Sequence, residues 1–386
     1  MQIHAILKIL PKGSKRIIRI FWGFLQQISK DENSVVIIGD ESNKKKVQEI
    51  KKRFEFYSRQ KPNLNILWKK KISVFDIFSQ KPILVFGSIS KWTKLMISVR
   101  PGTFDVDFET NPMDGWAWTD YADFISKEKH HNGPARKRLI SAIDNLNIEK
   151  RDRCYIFGTG PSLSMAIDRS WNDGIVIVCN TIVRDPELWH HLEPDFIVAG
   201  DAIYHFGFTL FAQTFRKDLK NRLIESKTRF VYPAQFHSII AYEFIGLEDR
   251  LIPVPTGWKH QINTNLQKEF SLPNLGNVLG LLLLPLGCTI SKNIYLWGFD
   301  GRAPDDKLFW SNSDKHSYPE FMQELQESHP KFFDHYVPVT DPNKYVRNVQ
   351  GDQLDRCISH VEKNGWKFIM MHKSWTSTLN KRYIGE

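Results

Sequence analysis

The sequence predicts an α/β protein: a Rossmann-like, mostly parallel sheet with flanking helices, preceded by a smaller α/β domain. Three observations predict it. The length of 386 residues supplies material for two domains at the usual ~100–200 residues each. Runs of β-branched and aromatic residues alternate with helical stretches along the chain. From Asp152 onward these runs are RCYIFG, GIVIVCN, DFIVAGD, RFVYP, KNIYLWGFD and KFIMM. Most are continuously apolar, as strands buried on both faces of a parallel sheet are.

Three regions follow from this reading. Residues 1–30 intersperse Lys8, Lys12, Lys15, Arg16 and Arg19 among Ile, Leu, Phe and Trp, with neither the uninterrupted apolar stretch nor the small-residue cleavage site of a signal peptide. The pattern suits a basic amphipathic segment lying on an anionic membrane; a helix packed on the body of the protein fits it equally. Residues 31–150 read as a small α/β domain of unknown role in which strands and helices alternate: VVIIGDE, a Lys/Glu-rich helical stretch over 44–58, NLNILW, ISVFDIFS, then KPILVFG. Its end, DFETNPMDGWAWTDYADF, shows no clear period, and KEKHHNGPARKR over 127–138 reads as a linker or exposed loop. Residues 151–386 form the Rossmann-like domain, with a lid-like segment at about 301–345.

Composition narrows the function classes. Lys and Arg outnumber Asp and Glu by 53 to 43, a net charge of +10, which favours anionic partners such as lipid headgroups or nucleotide-activated substrates. Twelve Trp within 13% aromatic residues hint at surfaces that stack on rings or sugars. Four widely spaced cysteines (Cys154, Cys179, Cys288 and Cys357) contain no CxxC pair, which argues against a zinc site or a disulfide framework and for a reducing cytoplasm. The apolar run Val278–Cys288 is too short for the ~20 residues of a spanning helix.

The chemistry concentrates at one turn. Residues 153–163 read RCYIFGTGPSL, a strand that breaks into two glycines and a proline. A dinucleotide fingerprint requires a third glycine where Leu163 stands and an acid closing the second strand, which ends at Asn180. NAD is therefore not expected, and no P-loop pattern occurs at this turn. Two readings stay open: a tight strand-to-helix turn, or a turn whose amides and Ser162 meet a nucleotide. Pro161 suits the first helical turn. Ligands of open α/β sheets bind at the carboxyl ends of the strands, where Gly158, Asn180, Asp201 and Asp300 fall.

The turn FGTGPSL, the strand end VCNTIVRD, the strand PDFIVAGD and the pair NVLGLLLLPLG and KNIYLWGFD resemble, in the same order, the bacterial sialyltransferases of glycosyltransferase family 42. They resemble more weakly the motility-associated-factor glycosyltransferases. The resemblance covers about residues 152–375. It implies that Gly158, Thr159, Gly160, Pro161, Ser162 and Asn180 contact a CMP-sugar donor, with Asp201, Gly276, Asn277 and Asp300 beside them. The family has Thr-Ser-Gly in the turn where this chain has Asn274-Leu275-Gly276-Asn277, which leaves base selectivity open. The resemblance also implies a histidine general base in the lid, with tyrosines assisting phosphate departure. His335 lies near the family's separation from Asp300; His316, Tyr318 and Tyr336 are the other expected catalytic residues, and His329 lies in the same segment.

The implied reaction is attack of a glycan hydroxyl on the anomeric carbon of a CMP-activated nonulosonic acid, with inversion and loss of CMP. No cofactor is expected, since the CMP-sugar is a substrate, and no metal: Asp105-Val106-Asp107 is the only D-x-D noted and falls in the unmatched first domain. The expected setting is cytoplasmic, peripheral on the inner membrane face if the N-terminus is an anchor. There it would meet a lipid-linked acceptor in surface polysaccharide assembly, with no nucleic-acid partner. A nucleotide- or diphosphate-transferring enzyme using the same turn, and a non-enzymatic membrane-surface or polyanion-binding protein, remain alternatives.

Overall fold

The computed structural model describes residues 33–39, 42–73, 76–77, 79–87, 90, 95, 100–126, 132–303, 314–336 and 352–385. The N-terminal segment 1–30, and residues 304–313 and 337–345 of the expected lid, lie outside them. The chain divides into two compact units, Met1–Lys127 with His329–Phe332, and Glu128–Ser328 with Phe333–Glu386.

In the smaller unit four parallel strands, β1 (Ser34–Ile38), β2 (Asn65–Lys69), β3 (Ile83–Val85) and β4 (Thr103–Asp105), lie in the order β2-β1-β3-β4. Every residue of β1 is buried, as an inner strand with helices on its faces requires. Helix α1 (Lys44–Ser58) begins where Asn43 accepts the Lys46 amide at 3.1 Å, and buries Ile50, Phe54 and Tyr57 at helical spacing. Helix α2 (Asp114–Ile125) occupies the stretch whose sequence shows no clear period. Its buried stripe of Trp118, Tyr121, Ala122 and Ile125 is helical, but Phe124 on its other face is 45% exposed and masks the alternation. In ISVFDIFS, Asp76 and Ile77 are helical.

The larger unit carries a seven-stranded, fully parallel sheet in the order β11-β10-β5-β6-β7-β8-β9. The six expected runs form β5 (Cys154–Phe157), β6 (Ile175–Cys179), β7 (Phe196–Val198), β8 (Arg229–Pro233), β10 (Asn293–Trp297) and β11 (Lys367–Met370). The unexpected strand β9 (Leu251–Val254) contains Pro253 and stands at the sheet edge, the position a strand proline tolerates. The unit begins near Glu128 rather than at 151 because helix α3 (Asn132–Asp144) belongs to it. Much of the expected linker is thus helix: Pro134 sits in its first turn, and Leu139, Ala142 and Ile143 join the core formed by β5, β6 and β9.

The chain proceeds from β5 outward to β9, then returns to place β10 on the other side of β5. The return passes through a π-helical turn, Leu279–Leu283, continuous with helix α4 (Leu284–Ile290). Pro285, early in α4, has no amide to donate back one turn, and the wider turn precedes it. The reversal of direction between β5 and β10 is the topological switch point, where a doubly wound sheet opens a crevice at its carboxyl edge.

Candidate functional site at the strand carboxyl edge

The two glycines after β5 have a close neighbour within the protein. The Gly158 amide donates to the Trp297 carbonyl and the Gly160 amide to the Gly298 carbonyl, both at 2.8 Å. A Cβ on Gly158 would stand 2.5 Å from the Gly298 oxygen, and one on Gly160 would stand 2.1 Å from the Asp300 carboxylate. Both positions thus require glycine so that the loop after β10 can lie against the turn after β5. Gly298 itself has φ of +76°, the left-handed region glycine enters freely.

Asp300 fills the space this leaves. Its carboxylate accepts the Ser162 amide at 3.2 Å and the Ser162 hydroxyl at 2.9 Å. These donors stand in the first turn of the 3₁₀ helix Pro161–Asp168, with Gly160 as its cap, where the backbone favours an anion. Gly158, Gly160, Pro161, Ser162 and Asp300 therefore form one interlocked pair of loops, with the protein's own carboxylate at an amide of the turn read as a place to meet a nucleotide.

His372, which the sequence reading did not single out, joins the same cluster. Its Nε2 lies 2.8 Å from the Ser162 hydroxyl and 3.0 Å from the Gly298 amide, and its Nδ1 lies 2.8 Å from the Lys373 carbonyl. An amide can only donate, so Nε2 accepts from Gly298, while Nδ1 faces the Lys373 carbonyl. The ring stands edge-on to Trp297 at 5.2 Å, whose indole donates to the Ser162 carbonyl at 2.8 Å. No motif marks a lone histidine two residues past a strand; only the pairing of β10 with β11 brings it here.

Asn180 follows β6, the neighbour of β5 on the other side. It has φ of +52°, a conformation asparagine tolerates better than most residues. Its side-chain oxygen is buried and without a hydrogen-bond partner among the described residues. Thr159 lies half-buried in the turn after β5.

Asp201 caps the short helix α5 (Ala202–His205), accepting the Ile203 and Tyr204 amides at 3.0 and 3.1 Å. Burial pushes its carboxyl up to about 6, against the pull of those amides. His205, whose Nδ1 accepts the Asp201 amide at 3.2 Å, is pushed down to about 3 by burial. Asn277 opens the helical segment before β10, its side-chain oxygen accepting the Gly280 amide at 2.7 Å, with Gly276 exposed before it.

The expected catalytic residues do not form one group. His316 is buried and paired with Asp185 at 3.2 Å, while its carbonyl accepts the Thr181 hydroxyl at 2.5 Å. Burial lowers its pKa despite the carboxylate beside it. Tyr318 is buried too: its hydroxyl donates to Asp218 at 2.7 Å, and burial together with that carboxylate raises its pKa. These two side chains anchor residues 316–318 to the body of the unit, and Glu324 adds a bond from the Leu210 amide at 2.9 Å. This described portion of the expected lid is thus fastened down. His329 belongs to the smaller unit, where its Nδ1 lies 2.8 Å from Asp114, a buried carboxylate that also accepts Arg53 at 2.7 Å. His335 remains exposed at the end of helix α6 (Pro330–Tyr336), its ring edge-on to Tyr336 at 4.7 Å. Burial raises the Tyr336 phenol.

Asp105 closes β4, and Asp107 is buried, held by Lys46 and the Gly87 amide, each at 2.7 Å. No group of three or more His, Cys, Asp or Glu suited to a metal occurs among the described residues, and no helix among them is long and apolar enough to cross a membrane. All four cysteines are buried free thiols.

The chain matches no protein-family model, no curated protein sequence and no solved structure.

Proposed function

We propose that the larger unit is a glycosyltransferase that takes a sialic acid or related nonulosonic acid from a CMP-activated donor and joins it, with inversion, to a hydroxyl of a glycan acceptor. The reading rests on the resemblance of residues 152–375. The observation that carries it is the left-handed Asn180, whose buried amide oxygen has no partner among the described residues, at a strand end next to the switch point of a parallel sheet. An acceptor oxygen calls for a hydroxyl or amino group, both of which a cytidine offers in its ribose and base.

In this reading Asn180 and Thr159 hold the nucleoside, and the loop pair 158–162 and 298–300 forms the floor of the crevice. Asp300 occupies the Ser162 amide in the free protein, and the donor phosphate meets hydroxyl and amide donors at the rim, which stabilise the departing charge. The acceptor proton passes to a histidine, whose ordinary pKa of about 6.5 suits a base at neutral pH. The resemblance supports His335. A second reading is favoured by geometry: His372 is the histidine bonded into the crevice loops, with Nε2 as the acceptor nitrogen.

The test is CMP release from CMP-sialic acid by the full chain, with and without an oligosaccharide acceptor. Acceptor-dependent release is expected; no release with any acceptor tried, alongside turnover of another nucleotide substrate, would move the protein to the nucleotide- or diphosphate-transferring class.

A further inference from the structure

Charge gathers at the opposite edge of the same sheet. Because the strands are parallel, Arg229 at the start of β8 and Leu251 at the start of β9 lie at the amino edge. A strand of this length separates them from the carboxyl edge by about 15 Å, at ~3.3 Å per residue. Here Lys137, Arg138, Ser141 and Ala142 of α3 line an open cleft of about 320 Å³ with Arg229 and Asp249. Three arginines are pinned by main-chain carbonyls rather than by acids. Arg138 donates to Leu251 at 2.8 Å, Arg229 to Lys227 at 2.6 Å and Arg250 to Ser226 at 3.0 Å.

Among the described residues none of these arginines, nor Lys137, forms an ion pair, whereas Arg153, Arg184, Arg216, Arg222 and Arg382 all do. Each guanidinium has five N–H donors in a planar fork, and each of these three gives only one nitrogen to the protein. The cost of holding like charges together registers at Arg229: burial lowers its pKa and the neighbouring Arg250 lowers it further, with Asp249 opposing. Fixed, carbonyl-anchored cations without carboxylate partners match a ligand anion, which forms shorter and stronger charge-assisted bonds with such forks.

We infer that this cleft, lined by Lys137, Arg138 and Arg229, with Arg250 acting on Arg229 as a neighbouring charge, binds a phosphate-bearing anion at a site separate from the carboxyl-edge crevice. The phosphate belongs to a soluble compound or to an anionic phospholipid headgroup.

Two arms separate these sources. Inorganic pyrophosphate is titrated calorimetrically into the full chain, and flotation is measured with phosphatidylcholine vesicles with and without phosphatidylglycerol. The variants are Lys137→Gln, which changes an exposed side chain with no ion-pair partner among the described residues, and Lys137→Gln/Arg229→Gln. Pyrophosphate affinity is expected to fall about tenfold in the first variant, the scale of one charge-assisted bond, and further in the second. The melting temperature of Lys137→Gln should stay at the wild-type value. Vesicle binding that requires phosphatidylglycerol and is lost in the double variant identifies a headgroup; pyrophosphate binding lost without any change in flotation identifies a soluble phosphate. Wild-type protein that binds neither probe, or variants that bind both as wild type does, would overturn the inference.

Discussion

Asn180 combines two costs that ordinary packing does not explain. A non-glycine residue at φ of +52° is strained, and a buried oxygen without a partner among the described residues forfeits about 1–3 kcal/mol of solvation. Glycine removes both and adds a smaller entropic cost. Asn180→Gly should therefore unfold in urea with a free energy equal to wild type or higher by about 1 kcal/mol, while binding CMP at least tenfold more weakly. A variant that loses stability and keeps CMP binding would make Asn180 structural. The pair Asp201 and His205 carries a second residue-scale consequence. From about pH 4 to 6 folded Asp201 keeps a proton that the unfolded chain releases, because its carboxyl is raised to about 6; its share of stability falls as pH rises. Over the same interval His205, lowered to about 3, lacks a proton that the unfolded chain binds, so its share rises with pH. The two oppose each other. His205→Asn keeps an acceptor for the Asp201 amide but removes the second titration. Compared with wild type, its unfolding free energy should lose about 1.4 kcal/mol per pH unit between pH 4 and 6, measured by urea denaturation across that range. An unchanged difference between the two proteins would refute the assignment.

At the scale of elements, the interlocked loops after β5 and β10 are the part most exposed to test. Gly160→Ala places a methyl 2.1 Å from the Asp300 carboxylate and 2.8 Å from the Gly298 carbonyl, and one of these contacts is backbone. A loss of about 1–3 kcal/mol is expected, the scale of overpacking, whereas Gly133→Ala, in open space in the first turn of α3, should be neutral. Equal thermal shifts for the two would contradict the close approach. Much of this architecture was legible from residue pattern. The fully buried β5, β6 and β7, and β8 beyond Arg229, announce themselves as apolar runs, and the lysine-rich α1 carries its own period. What stayed hidden depends on partners distant in sequence. β9 is short and holds Pro253, α2 is aromatic on more than one face, and His372 gains meaning only from the β10–β11 pairing. His316 and Tyr318 read as free lid residues because nothing in the chain around them foretells Asp185 and Asp218 as partners.

For the molecule as a whole, the proposed chemistry must be assigned to one histidine. If His335 takes the acceptor proton, His335→Ala should slow the chemical step by ~10²–10⁴-fold, the usual scale of general-base catalysis, with CMP affinity retained. His372→Ala should then disturb the loops and donor binding more than the chemical step. The reverse pattern would place the base at His372. His316→Ala is expected to lower the melting temperature instead, since it removes a fully buried side chain and its pairing with the half-buried Asp185 carboxylate. All of these assignments presuppose that the crevice between β5, β6 and β10 holds a cytidine nucleotide. The most direct test is calorimetric titration of CMP, with NAD and ATP as comparisons, into wild-type protein and Asn180→Ala. The account predicts one-to-one binding of CMP, weakened at least tenfold by the substitution, and none of NAD. Tight NAD binding with no CMP binding, or CMP binding indifferent to Asn180, would contradict it.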